Sequence, residues 1–330
     1  MEQQPVECEL EELELPTVDL ESEESSLTEQ LVGACRDPGV FRLVNHGVPS
    51  NLTARLFGLA RGLLELEAAN KSRLPGYFSG TPALAALPVK QLNWLEGLHV
   101  EAGNRSVSSP GCVDAEDEDA GTALSEFMEA VSGEYVVHMA RIARKLFDVL
   151  ACGELGLNKE QRASYLTERG SIFRAYRYPA SGAGRRYLGM EAHTDSSVLS
   201  ILNQDMVGGL QVLCRGRGDR DKEEARWLAV RPVEGALVVN VGDMLQAMSG
   251  GAYRSPEHRV VAPAWTEVDR MSLCYFAFPQ EDAVIVGPPH SCRQEVLYRA
   301  FSYGEFREQV QADVKATGSK VGLARFRVQS

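Results

Sequence analysis

The chain has 330 residues, 44% of them hydrophobic, with a formal net charge of −12, enough apolar sequence for a sizeable core in one folded unit. No apolar run approaches the roughly 18 residues of a membrane span, no basic stripe is laid out for nucleic acid, and the acidic start Met1-Glu-Gln-Gln is unlike a signal or transit peptide; a cytoplasmic address with neither membrane nor nucleic-acid partner is expected. The acidity is local, with eleven acids and no Lys or Arg in residues 1–35 and six acids against Arg105 in residues 101–120, so the remaining body is net positive and does not oppose an anionic ligand.

Residues 1–12 are expected to be a disordered acidic tail. Leu15–Leu20 reads as an early strand, and Ser26–Cys35 and Ser50–Leu66 as helices with Ser or Thr available as caps. Between Ala102 and Gly121, Gly, Ser, Pro and acids predominate, which predicts a mobile loop near a substrate entrance. Leu124–Leu150 repeats apolar residues at spacings of three and four (Phe127, Val131, Tyr135, Met139, Ile142, Leu146) and predicts a long buried helix, its stripe core rather than a cofactor box. From residue 171 the pattern changes. Ser171–Tyr178, Val198–Gln204, Gly209–Leu213, Trp227–Val230, Ala236–Val241 and Met271–Phe278 are short apolar, β-branched runs separated by Gly, Pro or charges, and they read as strands. Their spacing favours a barrel or sandwich over βαβ units. Arg215–Arg226 reads as a solvated hairpin loop, and Asp243 as an N-cap for Met244–Met248.

Seven cysteines (Cys8, Cys35, Cys112, Cys152, Cys214, Cys274, Cys292) show no C-x-x-C spacing and read as reduced thiols. A metal site is predicted elsewhere. His193 and Asp195, two apart on a strand, face the same side, and His258, in Ser255–Val261, is a third donor. Two imidazoles and a carboxylate leave three positions open, as in non-haem Fe(II) oxygenases; the same donors also suit a zinc hydrolase. Arg270 and Ser272 alternate onto one face, and a buried guanidinium beside a hydroxyl suits bidentate grip of a carboxylate. Zinc chemistry gives no reason for such a clamp. Taken singly, these residues have bland readings: a surface pair, a structural histidine, an exposed arginine. Their joint order in a strand-rich setting points to a site for a small acid.

These residues lie within longer matches. Leu15-Pro-Thr-Val-Asp-Leu20, Val40-Phe-Arg-Leu-Val-Asn-His-Gly-Val48, Ala192-His-Thr-Asp-Ser196 with the following Leu199–Val212, Val239-Asn-Val-Gly-Asp243, Ser255-Pro-Glu-His-Arg-Val-Val261 and Arg270-Met-Ser272 resemble, in order, the signatures of the plant 2-oxoglutarate and Fe(II)-dependent dioxygenases. Within that family, Lys90–His99 and Phe301–Phe326 are similar to the gibberellin 2-beta-dioxygenases that take twenty-carbon substrates.

The resemblance implies a mixed α/β fold with a double-stranded β-helix (jelly-roll) core and flanking α-helices: a mostly helical region at 13–168, the catalytic core at 169–285 and a helical C-terminal segment at 286–330. It implies Fe(II) on His193, Asp195 and His258, and 2-oxoglutarate on Arg270 and Ser272 with Tyr178. Ascorbate is expected as a stimulant. The reaction implied is hydroxylation of a gibberellin by dioxygen at the 2-beta carbon, which inactivates the hormone, with release of succinate and carbon dioxide, and Trp94, Glu96 and Phe276 are expected at the substrate, with His99 beside them. Two departures stand out: Tyr176 where Asn is usual, and a His258–Arg270 interval two residues longer than the common pattern. Such an insertion is expected to be absorbed in a hairpin turn near Pro263 and Trp265. A same-scaffold dioxygenase hydroxylating or desaturating another plant metabolite, such as a flavonoid, or a different gibberellin position, and a noncatalytic metabolite-binding protein are the alternatives.

Overall fold

The computed structural model describes residues 10–80, 93–102, 118–153, 155–181, 187–215, 225–263, 266–288 and 296–328. The first part contains β1 (Thr17–Asp19), α1 (Glu24–Arg36), β2 (Val40–Val44), α2 (Ser50–Glu65), α3 (Ala68–Lys71), β3 (Tyr77–Ser79) and β4 (Glu96–Glu101). Then α4 (Glu118–Glu129) runs through a π-helical stretch, Ala130–Tyr135, into α5 (Val136–Cys152), followed by α6 (Lys159–Tyr165). The strands of the second half are β5 (Thr167–Tyr178), β6 (Leu188–His193), β7 (Leu199–Gln204), β8 (Leu210–Arg215), β9 (Ala225–Ala229) and β10 (Leu237–Val241). After α7 (Asp243–Met248) come β11 (His258–Val261), β12 (Arg270–Phe278), β13 (Val284–Ile285), β14 (Phe301–Ser302), α8 (Tyr303–Thr317) and a 3-10 turn, Gly322–Phe326.

Two sheets make the core. The larger has the order β1-β2-β10-β7-β12-β5-β4-β3, the smaller β6-β11-β8-β9, and together they form the jelly roll. The period of two decides what each face does. On β12, Met271, Leu273, Tyr275 and Ala277 join the helix-covered core with Phe127, Tyr135, Met139, Ile142 and Leu146, whereas Arg270, Ser272, Cys274 and Phe276 face a cavity. Strand β5 divides likewise, with Phe173 and Ala175 toward the helices and Arg174, Tyr176 and Tyr178 toward the cavity. The predicted stripe of the long helix is fully buried from Phe127 to Leu146.

Several expectations need correction. Of the expected tail 1–12, residues 1–9 lie outside the described residues, but Glu11 and Glu12 are not free: the Ala229 N–H donates to Glu11 O (3.0 Å) and the Leu13 N–H to Ala229 O (2.8 Å), so the chain zips onto the edge strand β9. No Ser or Thr caps α1 or α2; their N-caps are Glu23 and Pro49, with no side-chain cap bond. Gly242, not Asp243, is the N-cap of α7, its backbone extended (φ −95°, ψ 172°) with Asp243 already in the first turn, and the Asp243 carboxylate pairs instead with Lys320 at 2.6 Å. The interval after His258 is not a hairpin. Strand β11 pairs with β6 and β8, whereas β12 pairs with β5 and β7, so Ala262–Asp269 carries the chain from one sheet to the other, with Pro263 O accepting from the Ser181 N–H. Trp265, most of the loop predicted between Ala102 and Gly121, and residues 216–224 of the β8–β9 hairpin lie outside the described residues.

Candidate metal centre and its cavity

Strands β6 and β11 pair so that His193 and His258 face each other in register. Strand β6 ends at His193, and Asp195 lies just beyond it, so the carboxylate is positioned by a turn and not by strand alternation. That turn is held from α7: the Asp243 N–H donates to Asp195 O at 2.7 Å, and the Asn240 amide donates to Asp195 Oδ2 at 3.3 Å. Asp195 Oδ1 then lies 3.7 Å from His193 Nε2 and 3.8 Å from His258 Nε2, and the three donor atoms fall within 4.8 Å of one another.

The donor set fits a divalent metal. Each imidazole donates its Nδ1–H to a backbone carbonyl, His193 to Glu191 O (2.7 Å) and His258 to Pro256 O (3.2 Å), which leaves both Nε2 lone pairs free to ligate. Burial, and then His258 beside it, push the His193 ring down to about 4, favouring the neutral form that binds metal. Burial by itself would raise the Asp195 carboxyl, but His258 and His193 hold it below its usual range. Among the described residues this is the one cluster with metal-ligand geometry, and it contains no cysteine.

Deeper between the sheets lies a cavity of about 450 Å³. Arg270 is fully buried in its wall. Its guanidinium donates to Ser272 Oγ (3.3 Å) and Gln204 Oε1 (3.1 Å), sits over the Tyr178 ring at 4.8 Å, and leaves Nε without a partner. A buried cation with an orphaned donor and no carboxylate partner among the described residues is costly unless an anion completes it, and a dicarboxylate cosubstrate meets that need. Gly189 makes room for Tyr178: a Cβ there would lie 2.5 Å from the ring.

The expected substrate residues divide. Phe276 is half-buried and lines the cavity. Trp94 does not; it is 42% exposed, stacked on Tyr187 at 5.0 Å with its indole N–H on Pro179 O at 2.8 Å. Glu96 is also outside the cavity wall, because Lys71 (2.7 Å), Arg177 (2.9 Å) and the Tyr77 hydroxyl (2.8 Å) neutralise it on the far side of β4. Tyr176, in place of the usual Asn, lines the cavity with its ring edge-on to Phe78 at 5.7 Å. Residues not singled out beforehand also build the site: Gln204, Asn240, Arg174 and Lys320, the last paired with Asp243, expected only as a helix cap. Gln204 and Asn240 lay inside the matched stretches and share the inward parity of their strands; Lys320, more than 120 residues from the ligand loop, carried no local signal.

Comparison with known proteins agrees with this geometry. Residues 169–279 match the 2OG-Fe(II) oxygenase superfamily, and residues 15–104 match the non-haem dioxygenase in morphine synthesis N-terminal family. Gibberellin 2-beta-dioxygenase 8 of Arabidopsis thaliana is 34% identical over 96% of this chain and 88% of its own length; gibberellin 2-beta-dioxygenase 6 of Oryza sativa subsp. japonica is 35% identical over 96% and 85%. Among solved structures, a dioxygenase for auxin oxidation from rice superposes with a TM-score of 0.69 at 26% identity, covering 96% of this chain and all of that one. With Fe(II) fitting the facing histidines and Asp195, and 2-oxoglutarate fitting the buried arginine, the chain belongs to the 2OG-Fe(II) oxygenase superfamily and is a 2-oxoglutarate-dependent dioxygenase.

Proposed function

We propose that this enzyme hydroxylates a gibberellin at the 2-beta carbon and so inactivates the hormone. The observation that carries this reading is likeness along nearly the whole chain to two gibberellin 2-beta-dioxygenases. It is supported by the C-terminal run that resembles the same group, since Val310, Val314 and Val321 of that run form part of the cavity wall. The geometry supports the following roles. His193, Asp195 and His258 hold the metal, and Arg270 with Ser272 grips the far carboxylate of 2-oxoglutarate, with Tyr178 packed against the guanidinium. Iron with 2-oxoglutarate supplies oxidative decarboxylation coupled to insertion of oxygen into a C–H bond. The apolar wall of Phe78, Leu95, Met190, Val260 and Phe276 excludes water and places one carbon of the substrate toward the ligands.

The test is product analysis with Fe(II), 2-oxoglutarate and nineteen- and twenty-carbon gibberellins beside flavanones. A 2-beta-hydroxylated gibberellin with matching succinate, lost in His193→Ala, is expected. Turnover of a flavanone alone, or turnover that survives His193→Ala, overturns the reading.

A further inference from the structure

We propose that Arg174 forms a second anion subsite in the cavity, separate from the 2-oxoglutarate clamp, and that it takes a carboxylate of the organic substrate. Three cationic side chains line the cavity among the described residues: Arg174, Arg270 and Lys320. Lys320 is neutralised by Asp243 at 2.6 Å. Arg270 is assigned to the cosubstrate. Among the described residues Arg174 has no carboxylate partner: its Nε donates to His99 Nδ1 (3.1 Å) and its Nη1 to the Tyr176 hydroxyl (3.2 Å), both uncharged acceptors. Phe78 and Phe276 flank its guanidinium at 5.8 and 5.9 Å. That is a cation held in place on an apolar wall, with donors left over for an anion.

One ligand does not serve both arginines. In the sheet, Arg270 lies opposite Tyr178 while Arg174 lies opposite Cys274, an offset of four residues, or about 13 Å along the strands. The side chains also diverge. Arg270 reaches to Gln204 on β7, on one side of the β12–β5 pair, and Arg174 reaches to His99 on β4, on the other. The five-carbon 2-oxoglutarate spans roughly 5 Å between its carboxyl carbons at bond lengths of about 1.5 Å. Arg174 therefore faces whatever fills the rest of the cavity. The replacement of Asn by Tyr at 176 gains a function here, because its phenolic oxygen is one of the two acceptors that fix the guanidinium. The substrate class is an apolar skeleton bearing a carboxylate positioned away from the carbon presented to the metal.

The subsite stands on this geometry, while a gibberellin as natural ligand rests on the function proposed above; the experiment separates the two. The enzyme loaded with Fe(II) and saturating 2-oxoglutarate under nitrogen is titrated calorimetrically with 1-adamantanecarboxylate and with the neutral 1-adamantanecarboxamide, a rigid apolar pair differing in charge. The acid is expected to bind about tenfold or more tightly than the amide, Arg174→Gln to erase that preference, and Arg174→Lys to restore part of it, with 2-oxoglutarate affinity within about twofold of the parent in both variants. Equal binding of acid and amide, failure of the acid to bind, retention of the preference in Arg174→Gln, or weakening of 2-oxoglutarate instead overturns the proposal. Turnover of a gibberellin against its methyl ester is then read in parallel. No turnover of either, with the adamantane preference intact, rejects the gibberellin and keeps the subsite; turnover indifferent to esterification and to Arg174→Gln rejects the subsite and keeps the gibberellin.

Discussion

Asp195 lies one residue past the threonine that follows β6, and its placement depends on Asn240 and on the backbone of Asp243. Supporting groups of this kind tune metal affinity through ligand orientation. Asn240→Leu keeps the volume and removes the donor, so iron affinity is expected to fall roughly tenfold to a hundredfold with unfolding little changed; competition against a chelator reads it. At Arg270 the planar fork matters more than the charge, since two of its nitrogens are already aimed at Ser272 and Gln204. Arg270→Lys is expected to raise KM for 2-oxoglutarate about tenfold or more while leaving iron binding intact, and an unchanged KM contradicts the clamp. The metal donors at 193, 195 and 258 were legible because metal binding needs particular side chains in a particular order, and the same reasoning marked Arg270 and Ser272 for the clamp proposed above. The substrate residues were less so: Trp94 and Glu96 share a segment with the cavity residues Asn93 and Leu95, and nothing local tells which side of the wall each will take.

At the scale of elements, the C-terminal segment is fastened to the metal loop. After α8 ends in a left-handed Gly318, Lys320 donates to Thr194 O at 2.8 Å and pairs with Asp243, which also accepts from the Thr194 hydroxyl at 3.3 Å. Thr194 stands between two ligands, so this ion pair ties the end of the chain to the metal site. Side-chain exposure is only 13% for Lys320 and 4% for Asp243, so removing one partner leaves the other buried and unpaired. Lys320→Met is expected to cost about 3 kcal/mol in urea denaturation, and addition of Asp243→Asn to recover most of it; two additive losses contradict the coupling. This latch could not be read from periodicity, because a lysine after a helix is ordinarily a solvated charge. The long helix was readable, since its stripe of apolar residues is continuous across the π-helical stretch.

At the scale of the whole molecule, the N-terminal region is joined to the jelly roll through β2 and the residues that follow it. Strand β2 pairs in parallel with β1 and antiparallel with β10, and His46, just after β2, bridges to the turn before β10. Its Nδ1 accepts from the Val48 N–H at 3.1 Å and its Nε2–H donates to Gly235 O at 2.9 Å, which requires a neutral ring. Burial holds its pKa below the ordinary 6.5, outweighing the Gly235 bond. The folded state thus binds the proton less readily than the unfolded state, so His46 costs stability as pH falls below about 6.5, and the loss levels off below the folded pKa. Denaturation at pH 7.5 and 5.5 is expected to show a smaller drop in His46→Gln than in the parent, and an equal drop contradicts the assignment. Residue types and their spacing determined by themselves that the chain has short half-buried strands, a buried helical stripe and two imidazoles with a carboxylate set for a metal. These are local or pairwise properties of side chains. Only the tertiary structure decided that Ala262–Asp269 crosses between sheets, that Glu96 is neutralised outside the cavity, and that Arg174 stands within it with no carboxylate partner among the described residues. Each of these depends on which distant strands lie side by side, and that choice is made by long-range pairing and burial, not by any run of sequence.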